Sequence, residues 1–329
     1  MNITVLTYVE QENSKDYDLV VDQVASALRE HNHKVSVLGT NSNLRKLISG
    51  LRRLKPDLVF NLMEMFGDDV TGDVAAAGLL TLMKLRYTGS GPGELYLAQD
   101  KALAKKILAF EGIAFPRFAV FSRKAELETG GNLRMPLFVK PLRMDASIGI
   151  DRKALVTDTV ALMKRVVAIH EECDDAALAE EYIEGREFYV GILGNQQPLA
   201  LPPIEVDFSG LPEGAVRVLD TKAKWEKQSA EYKGTKSVIA DIPDELKAKL
   251  HKVSLDAYRA LRVRDYGRVD LRLTDTGDIY VLEVNASCYL EQSSEFVMAA
   301  AAAGIEFPDL IQKIVDLALD RYKGRKAGR

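Results

Sequence analysis

With 329 residues, 47% of them hydrophobic, the chain is long enough to bury two or three cores and reads as globular rather than disordered. A net charge of -4, with Lys and Arg dispersed among Asp and Glu, gives no broad basic face for nucleic acid or an anionic membrane. Two cysteines in the whole chain exclude a disulfide framework and fit a reducing compartment. The opening stretch Met1–Glu12 lacks both a basic and an apolar leader region, and no apolar run approaches membrane-spanning length, so a cytoplasmic location is expected.

The first hundred residues alternate in period. Strand "ITVLTY" precedes a helix carrying Val20, Val21, Val24, Ala27 and Leu28; strand "KVSVLG" precedes helix "NLRKLISGLRRL"; strand "DLVFNL" follows. Such alternation predicts a parallel sheet covered on both faces. After the glycine-rich "RYTGSGPGE", a helix is expected over Gln99–Phe110. The pattern then shifts to short strands, "LFVKP" and "SIGIDRKALV", and an amphipathic helix around Thr157–His170, together a small α+β lobe. The remainder offers extended segments "ALAEEYI", "EFYVGILG" and "PLALPPIEVDF", a polar loop over Ser209–Ser237, a helix over Asp244–Arg262, a hairpin and two closing helices. The basic end, "RYKGRKAGR", reads as a solvated tail at a helix C-terminus.

The hairpin carries the first chemical signal. In "YVLEVNAS" the two-residue period sends Glu283 and Asn285 to one face and Leu282 and Val284 to the other. Upstream, "YGRVDLRL" gives Arg268 and Asp270 the same period, and Asp275-Thr276-Gly277-Asp278 supplies the turn between the strands. Folding there sets Asp270 beside Glu283 and Asn285. Two carboxylates and an amide oxygen are hard ligands suited to Mg²⁺, which completes its shell with water and phosphate oxygens. The competing reading is a surface hairpin with solvated acids, against which the apolar Leu271, Leu273, Val281, Leu282 and Val284 argue.

Two further signals are weaker singly. Lys140 ends a strand, and the loop after it closes with Ser147-Ile148-Gly149, small enough for backbone N–H groups to approach a phosphate; a surface lysine is the plain alternative. Glu180, Glu181, Glu184 and Glu187 flank a buried pair of strands and could accept from an exocyclic amine or from ribose hydroxyls, or could simply be solvated.

Taken together these motifs resemble the ATP-grasp superfamily and, within it, the D-alanine–D-alanine ligases, over most of the chain from "DLVFNL" to "GIEFPDLIQKIVDLAL". The resemblance implies an α/β and α+β ATP-grasp fold: a Rossmann-like parallel-sheet domain over 1–98, a central lobe over 99–179 and a C-terminal lobe with the metal site over 180–329, the two lobes clamping ATP. "QDKALAKKILAFEGIAFP" and "FVKP" are similar to the segments carrying the nucleotide-binding lysines, which implies Lys101 and Lys140, with Ser147 in the loop that follows. "EEYIEGREF" is similar to the adenine and ribose segment, implying Glu180 for the adenine amine, the backbone at Tyr182 and Ile183, and Glu187 for ribose. Asp270, Glu283 and Asn285 would hold two Mg²⁺ ions, or Mn²⁺, and Arg268 would stabilise the acyl phosphate and the oxyanion that follows it. Lys224, in "TKAKWEK", aligns with a loop lysine that reaches the γ-phosphate.

The implied activity is an ATP- and Mg²⁺-dependent carboxylate–amine ligase acting on small carboxylate and amine substrates through an acyl phosphate, with ADP and phosphate released. A homodimer is expected, with neither nucleic acid nor membrane as a partner. The alternative is a catalytically inactive ATP-binding regulatory protein of the same fold; a dikinase would need a phosphorylatable histidine, and His31, His33, His170 and His251 lie away from every motif.

The amino-acid end departs from the family pattern. The glycine-rich first loop is replaced by "YVEQENSKDYD", so Glu10, Glu12 or Glu64 is the candidate contact for the first amino acid. Paired serines become Ala146-Ser147, and the loop tyrosine becomes Trp225. Ser-Pro-Gly-Met-Thr after the asparagine becomes Ser287-Cys288-Tyr289-Leu290-Glu291, and Ser294 alone keeps a hydroxyl for an acceptor carboxylate. Glu291 and Glu295 add negative charge there, which either favours a cationic acceptor or places acids at a helix N-terminus. Cys288 reads as a packed thiol rather than a nucleophile.

Overall fold

A computed structural model describes residues 1–12, 14–123, 127–129, 132–144, 150–211, 229 and 234–323. Strands β1 (Asn2–Tyr8), β2 (Lys34–Thr40) and β3 (Leu58–Leu62) pair in parallel in the order β2-β1-β3, with crossovers through helices α1 (Leu19–Glu30) and α2 (Leu44–Leu54). The middle strand β1 buries Ile3 to Leu6 consecutively, as a strand covered on both faces must. Each crossover helix starts on a side-chain cap: Asp18 accepts from Val20 N–H, and Asn43 from Lys46 N–H.

Helices α3 (Gly72–Leu82), α4 (Pro92–Gln99) and α5 (Lys101–Phe110) follow. The helix expected over Gln99–Phe110 is thus interrupted at its start. Asp100 is extended, closes α4 and caps α5 by accepting from Leu103 N–H. A short acid that bonds its own backbone favours such a cap over continuation. Lys101 therefore opens a helix, and Lys105 lies one turn later on the same face.

The central sheet is antiparallel, ordered β5-β4-β8-β6-β7, from β4 (Phe118–Phe121), β5 (Leu127–Thr129), β6 (Leu137–Pro141), β7 (Leu155–Val156) and β8 (Ala177–Glu181). Helix α6 (Thr159–Glu172) lays Leu162, Val166 and Ile169 on it. The strand expected over Ser147–Val156 shrinks to β7 behind a 3-10 turn, Arg152–Ala154, and its first part lies outside the described residues.

The third sheet runs β12-β11-β9-β13-β14, with β10 beside β9: β9 (Arg186–Leu193), β10 (Leu199–Ala200), β11 (Ile204–Asp207), β12 (Lys236–Ile239), β13 (Tyr266–Leu273) and β14 (Ile279–Asn285). Helix α7 (Asp244–Ala260) packs on one face, and α8 (Glu295–Ala302) and α9 (Phe307–Lys323) close the chain. Gly191 of β9 admits α8 closely, since a Cβ there would sit 2.9 Å from the Phe296 ring. One buried cluster joins Val21, Val24 and Leu28 of α1 to Leu310, Ile311 and Ile314 of α9, which brings the first sheet's helix against the C-terminal segment. Among the described residues, no helix is long and apolar enough to cross a membrane.

The hairpin β13–β14 forms across the expected turn, but with a bulge. Asp270 pairs with Glu283 and Arg268 with Asn285, whereas Leu271 pairs with Val281, leaving Leu282 as an extra residue. Strict alternation put Leu282 on the face opposite Glu283. The bulge overturns this, and Leu282 lines the same cleft as Glu283 while Val281 and Val284 are buried behind.

Candidate active site

A cleft opens between the central and third sheets. Phe138, Lys140 and Glu180 line one wall and Glu187, Tyr189, Asp270, Arg272 and Glu283 the other; Tyr182 and Ile183, where the chain passes between sheets, close the end. The β9–β13 register, with Tyr189 opposite Asp270 and Glu187 opposite Arg272, stacks these polar side chains along one face.

Asp270, Glu283 and Asn285 are brought together. Asn285 Nδ2 donates to Asp270 Oδ2 at 3.1 Å, and Arg268 grips both oxygens of Asp270 at 2.8 and 2.9 Å. Glu283 faces Lys101, with Nζ 3.8 Å from Oε1. Among the described residues no three His, Cys, Asp or Glu side chains cluster as a self-sufficient metal nest. A hairpin carrying two carboxylates and one amide fits instead a hard cation that takes its remaining oxygens from phosphate, the chemistry of Mg²⁺. The Asn285 amide turns its nitrogen to Asp270, which directs its oxygen elsewhere, and Arg268 and Lys101 supply the balancing charge.

Arg268 is the most constrained of these groups. Its guanidinium also donates to Glu295 Oε2 at 3.3 Å and stacks 4.5 Å from the Tyr189 ring centre. Burial disfavours its charge, but Asp270 and Glu295 outweigh burial and hold its pKa well above the usual arginine value.

On the opposite wall Glu180 sits between two ammonium groups, Lys140 at 2.9 Å and Lys105 at 2.8 Å, all three nearly inaccessible. Burial pushes the Glu180 carboxyl up, yet the two lysines prevail and hold it below the ordinary glutamate range. Burial lowers the Lys105 pKa despite Glu180. Lys105 also donates to the bulged Leu282 carbonyl at 2.9 Å, tying α5 to β14. Lys101 donates to the Met144 carbonyl at 2.8 Å. Glu187 accepts from Arg272 and from the Tyr189 hydroxyl. At the crossing, the Tyr182 N–H is taken by the Pro136 carbonyl and the Ile183 carbonyl by Arg272, which leaves the Ile183 N–H without a partner among the described residues.

The other expected residues are placed differently. Ser294 turns its hydroxyl onto the Tyr289 carbonyl at 3.0 Å. Glu295 opens α8 and is spent on Arg268 and on Ser237 Oγ at 3.2 Å, while Glu291 accepts from Gln23 of α1 at 3.1 Å and from Ser293 N–H at 2.8 Å. Glu12 is committed to Lys46 and the Asn41 N–H, whereas Glu10 and Glu64 are exposed at the strand ends of the first sheet. Burial pushes the Cys288 thiol up to about 12, which removes the thiolate a nucleophile needs. Lys224 and Ser147, with Ala146 and Trp225, lie outside the described residues. Sequence reasoning passed over Lys105, Arg272 and Tyr189. The available signal was spacing: Lys105 is one helical turn from Lys101, and Arg272 is two residues from Asp270.

The D-ala D-ala ligase C-terminus family model matches residues 107–316. The chain is 32% identical to a D-alanine–D-alanine ligase of Pelotomaculum thermopropionicum over 83% of this chain and 84% of that one. It is 34% identical to an uncharacterised protein, y4sG, of Sinorhizobium fredii over 93% and 89% of the two chains. The fold is similar to the crystal structure of D-alanine–D-alanine ligase from Bacillus anthracis complexed with ATP, with a TM-score of 0.77 and 24% identity over 99% of this chain and 100% of that one. The chain belongs to the D-alanine–D-alanine ligase family of ATP-grasp enzymes, ATP-dependent ligases that form C–N bonds.

Proposed function

We propose that the protein joins a carboxylate to an amine through an acyl phosphate, and that its acceptor differs from the second D-alanine of its named relatives. The donor carboxylate attacks the γ-phosphorus of ATP and ADP leaves. The amine then attacks the acyl carbon, phosphate is expelled, and the amine proton is released. The observation that carries the reading is the register pair Asp270–Glu283, with Asn285 beside it, on the wall of a cleft whose other wall bears Lys140 and Glu180.

In this reading Lys101, Lys140 and Ser147 hold phosphates, and Lys224 reaches the γ-phosphate. Glu180 accepts from the adenine amine with the lone-pair positions its two lysines leave open, the Tyr182–Ile183 backbone frames the base, and Glu187 meets the ribose. Asp270, Glu283 and Asn285 would hold Mg²⁺, which when bound supplies charge neutralisation to the transferring phosphoryl group. Arg268, fixed by Asp270, Glu295 and the Tyr189 ring, is aimed at charge that develops on the acyl oxygens. Ser294 meets an acceptor carboxylate only by giving up the Tyr289 carbonyl.

The altered-acceptor reading rests on Tyr289, whose hydroxyl is tied to Asp18 at 2.7 Å and which stands where the family pattern has glycine, and on Glu291 near it. Release of ADP against a matrix of D- and L-amino acids, with Glu283→Gln as the blank and product mass as the identifier, tests both halves. Efficient D-alanyl-D-alanine synthesis overturns the clause on the acceptor. Tight ATP binding with no ADP released by any pair replaces the ligase reading with that of a regulatory ATP-binding protein.

A further inference from the structure

Arg272 is 3% exposed, lines the cleft and takes no part in the chemistry above. A buried arginine on a binding wall costs desolvation unless every donor is used, and here they are used on the nucleoside end of the site. Nε and one terminal nitrogen reach Glu187 Oε2 at 3.0 and 2.5 Å, and the other terminal nitrogen reaches the carbonyls of Ile183 at 3.3 Å and Gly185 at 3.4 Å. The guanidinium lies 5.6 Å from the Tyr182 ring centre. Gly185 makes the close approach to β13 feasible: its φ is +145°, and a Cβ there would fall 2.0 Å from the Leu273 carbonyl oxygen.

The acceptor capacity of Glu187 can be counted. A carboxylate oxygen has about two acceptor positions. Oε2 has both filled by Arg272, and Oε1 has one filled by the Tyr189 hydroxyl at 2.8 Å. One position remains. Resting on the reading of this cleft as the ATP site, we propose that Arg272 is a positioning residue for nucleoside selection: it locks Glu187 so that a single acceptor position meets a single ribose hydroxyl, and it fixes the crossing backbone that frames the base.

The test compares ATP, 2′-deoxy-ATP and 3′-deoxy-ATP by equilibrium binding to the full chain, with steady-state KM for each nucleotide alongside. Loss of the hydroxyl that Glu187 reads weakens binding by about 10-fold or more, and loss of the other by less than about 3-fold. Arg272→Met reopens Oε2, so the two deoxy analogues become similarly disfavoured. KM for the amino-acid substrates stays within about 3-fold, which a general structural defect would not respect. Because Arg272→Met leaves a buried carboxylate unpaired, Arg272→Lys is measured beside it. Lys keeps the charge but fills fewer positions, and the asymmetry between analogues narrows at least about 3-fold. Equal penalties for both analogues in the unaltered protein, or an asymmetry unchanged in the folded Lys variant, overturn the proposal while leaving the ATP site intact. Absence of ATP binding to the unaltered protein overturns the reading of the cleft itself, and the proposal with it.

Discussion

The two ends of the candidate site solve the same electrostatic problem in opposite ways. At the proposed nucleotide end the charges are largely buried and answer one another at close range, within a strand, between neighbouring strands or from the helix packed on them: Glu180 between Lys105 and Lys140, Asp270 against Arg268, Glu187 against Arg272. At the proposed amino-acid end the polar groups are partly exposed and turn to neighbouring segments, Tyr289 to Asp18, Glu291 to Gln23 and Ser294 to its own loop. Buried pairs are costly to break, because the partner left behind keeps its desolvation penalty; exposed hydrogen bonds are cheap to exchange for water. The first end is therefore suited to hold one ligand rigidly, and the second to change its ligand with few substitutions.

The largest difference between the ends is expected in stability. Glu180→Gln leaves two buried ammonium groups without a counter-charge and should destabilise the fold by about 3–5 kcal/mol at neutral pH in urea melts. The sign with pH follows from a carboxyl whose folded pKa is lowered. Its contribution is complete above the ordinary glutamate value of 4.5 and is lost as pH falls through the lower folded value. Melts at falling pH should show the two proteins converging below that window; a constant gap refutes the assignment of the effect to Glu180 ionisation. Next in size, Arg268→Lys keeps a cation but loses the two-pronged grip on Asp270, and kcat should fall about 10²-fold with KM for ATP little changed. A loss confined to KM places Arg268 in nucleotide binding instead.

The parts of this molecule differ in how far the sequence discloses them, and the reason is local. The hairpin is legible because a period of two and the Asp275–Asp278 turn act together, and the structure pairs Asp270 with Glu283 as that pattern requires. The bulge at Leu282 is not, because leucine suits a buried face and a cleft wall equally, and only the register of the neighbouring strand decides. Asp100 carried a cap signal inside a helix-favouring run, and propensity over the whole run obscured it. Lys105 and Arg272 were the hardest to see. A lysine on a helix or an arginine on a strand is ordinarily solvated, and their burial is set by β8 and β9, which lie far away in sequence.

The smallest effect, and the sharpest probe of the amino-acid end, is expected from Tyr289→Phe. The phenol donates to the same Asp18 oxygen that caps α1 through Val20 N–H, so one carboxylate joins the proposed acceptor segment to the first sheet's helix. Removing the hydroxyl leaves the cap in place and an exposed carboxylate that water can reach, so the cost should be about 0.5–1.5 kcal/mol. Burial and the Asp18 carboxylate raise the Tyr289 pKa above its ordinary value of 10.0. A raised folded pKa adds stability that is present below the unfolded value and lost as pH climbs through the folded one, so the gap between the two proteins should close only in strong alkali. In kinetics, KM for the acceptor should move about 3-fold while KM for ATP moves less than about 2-fold. A larger shift in the ATP parameter means that the two ends are coupled through α1, and the division drawn between them is then wrong.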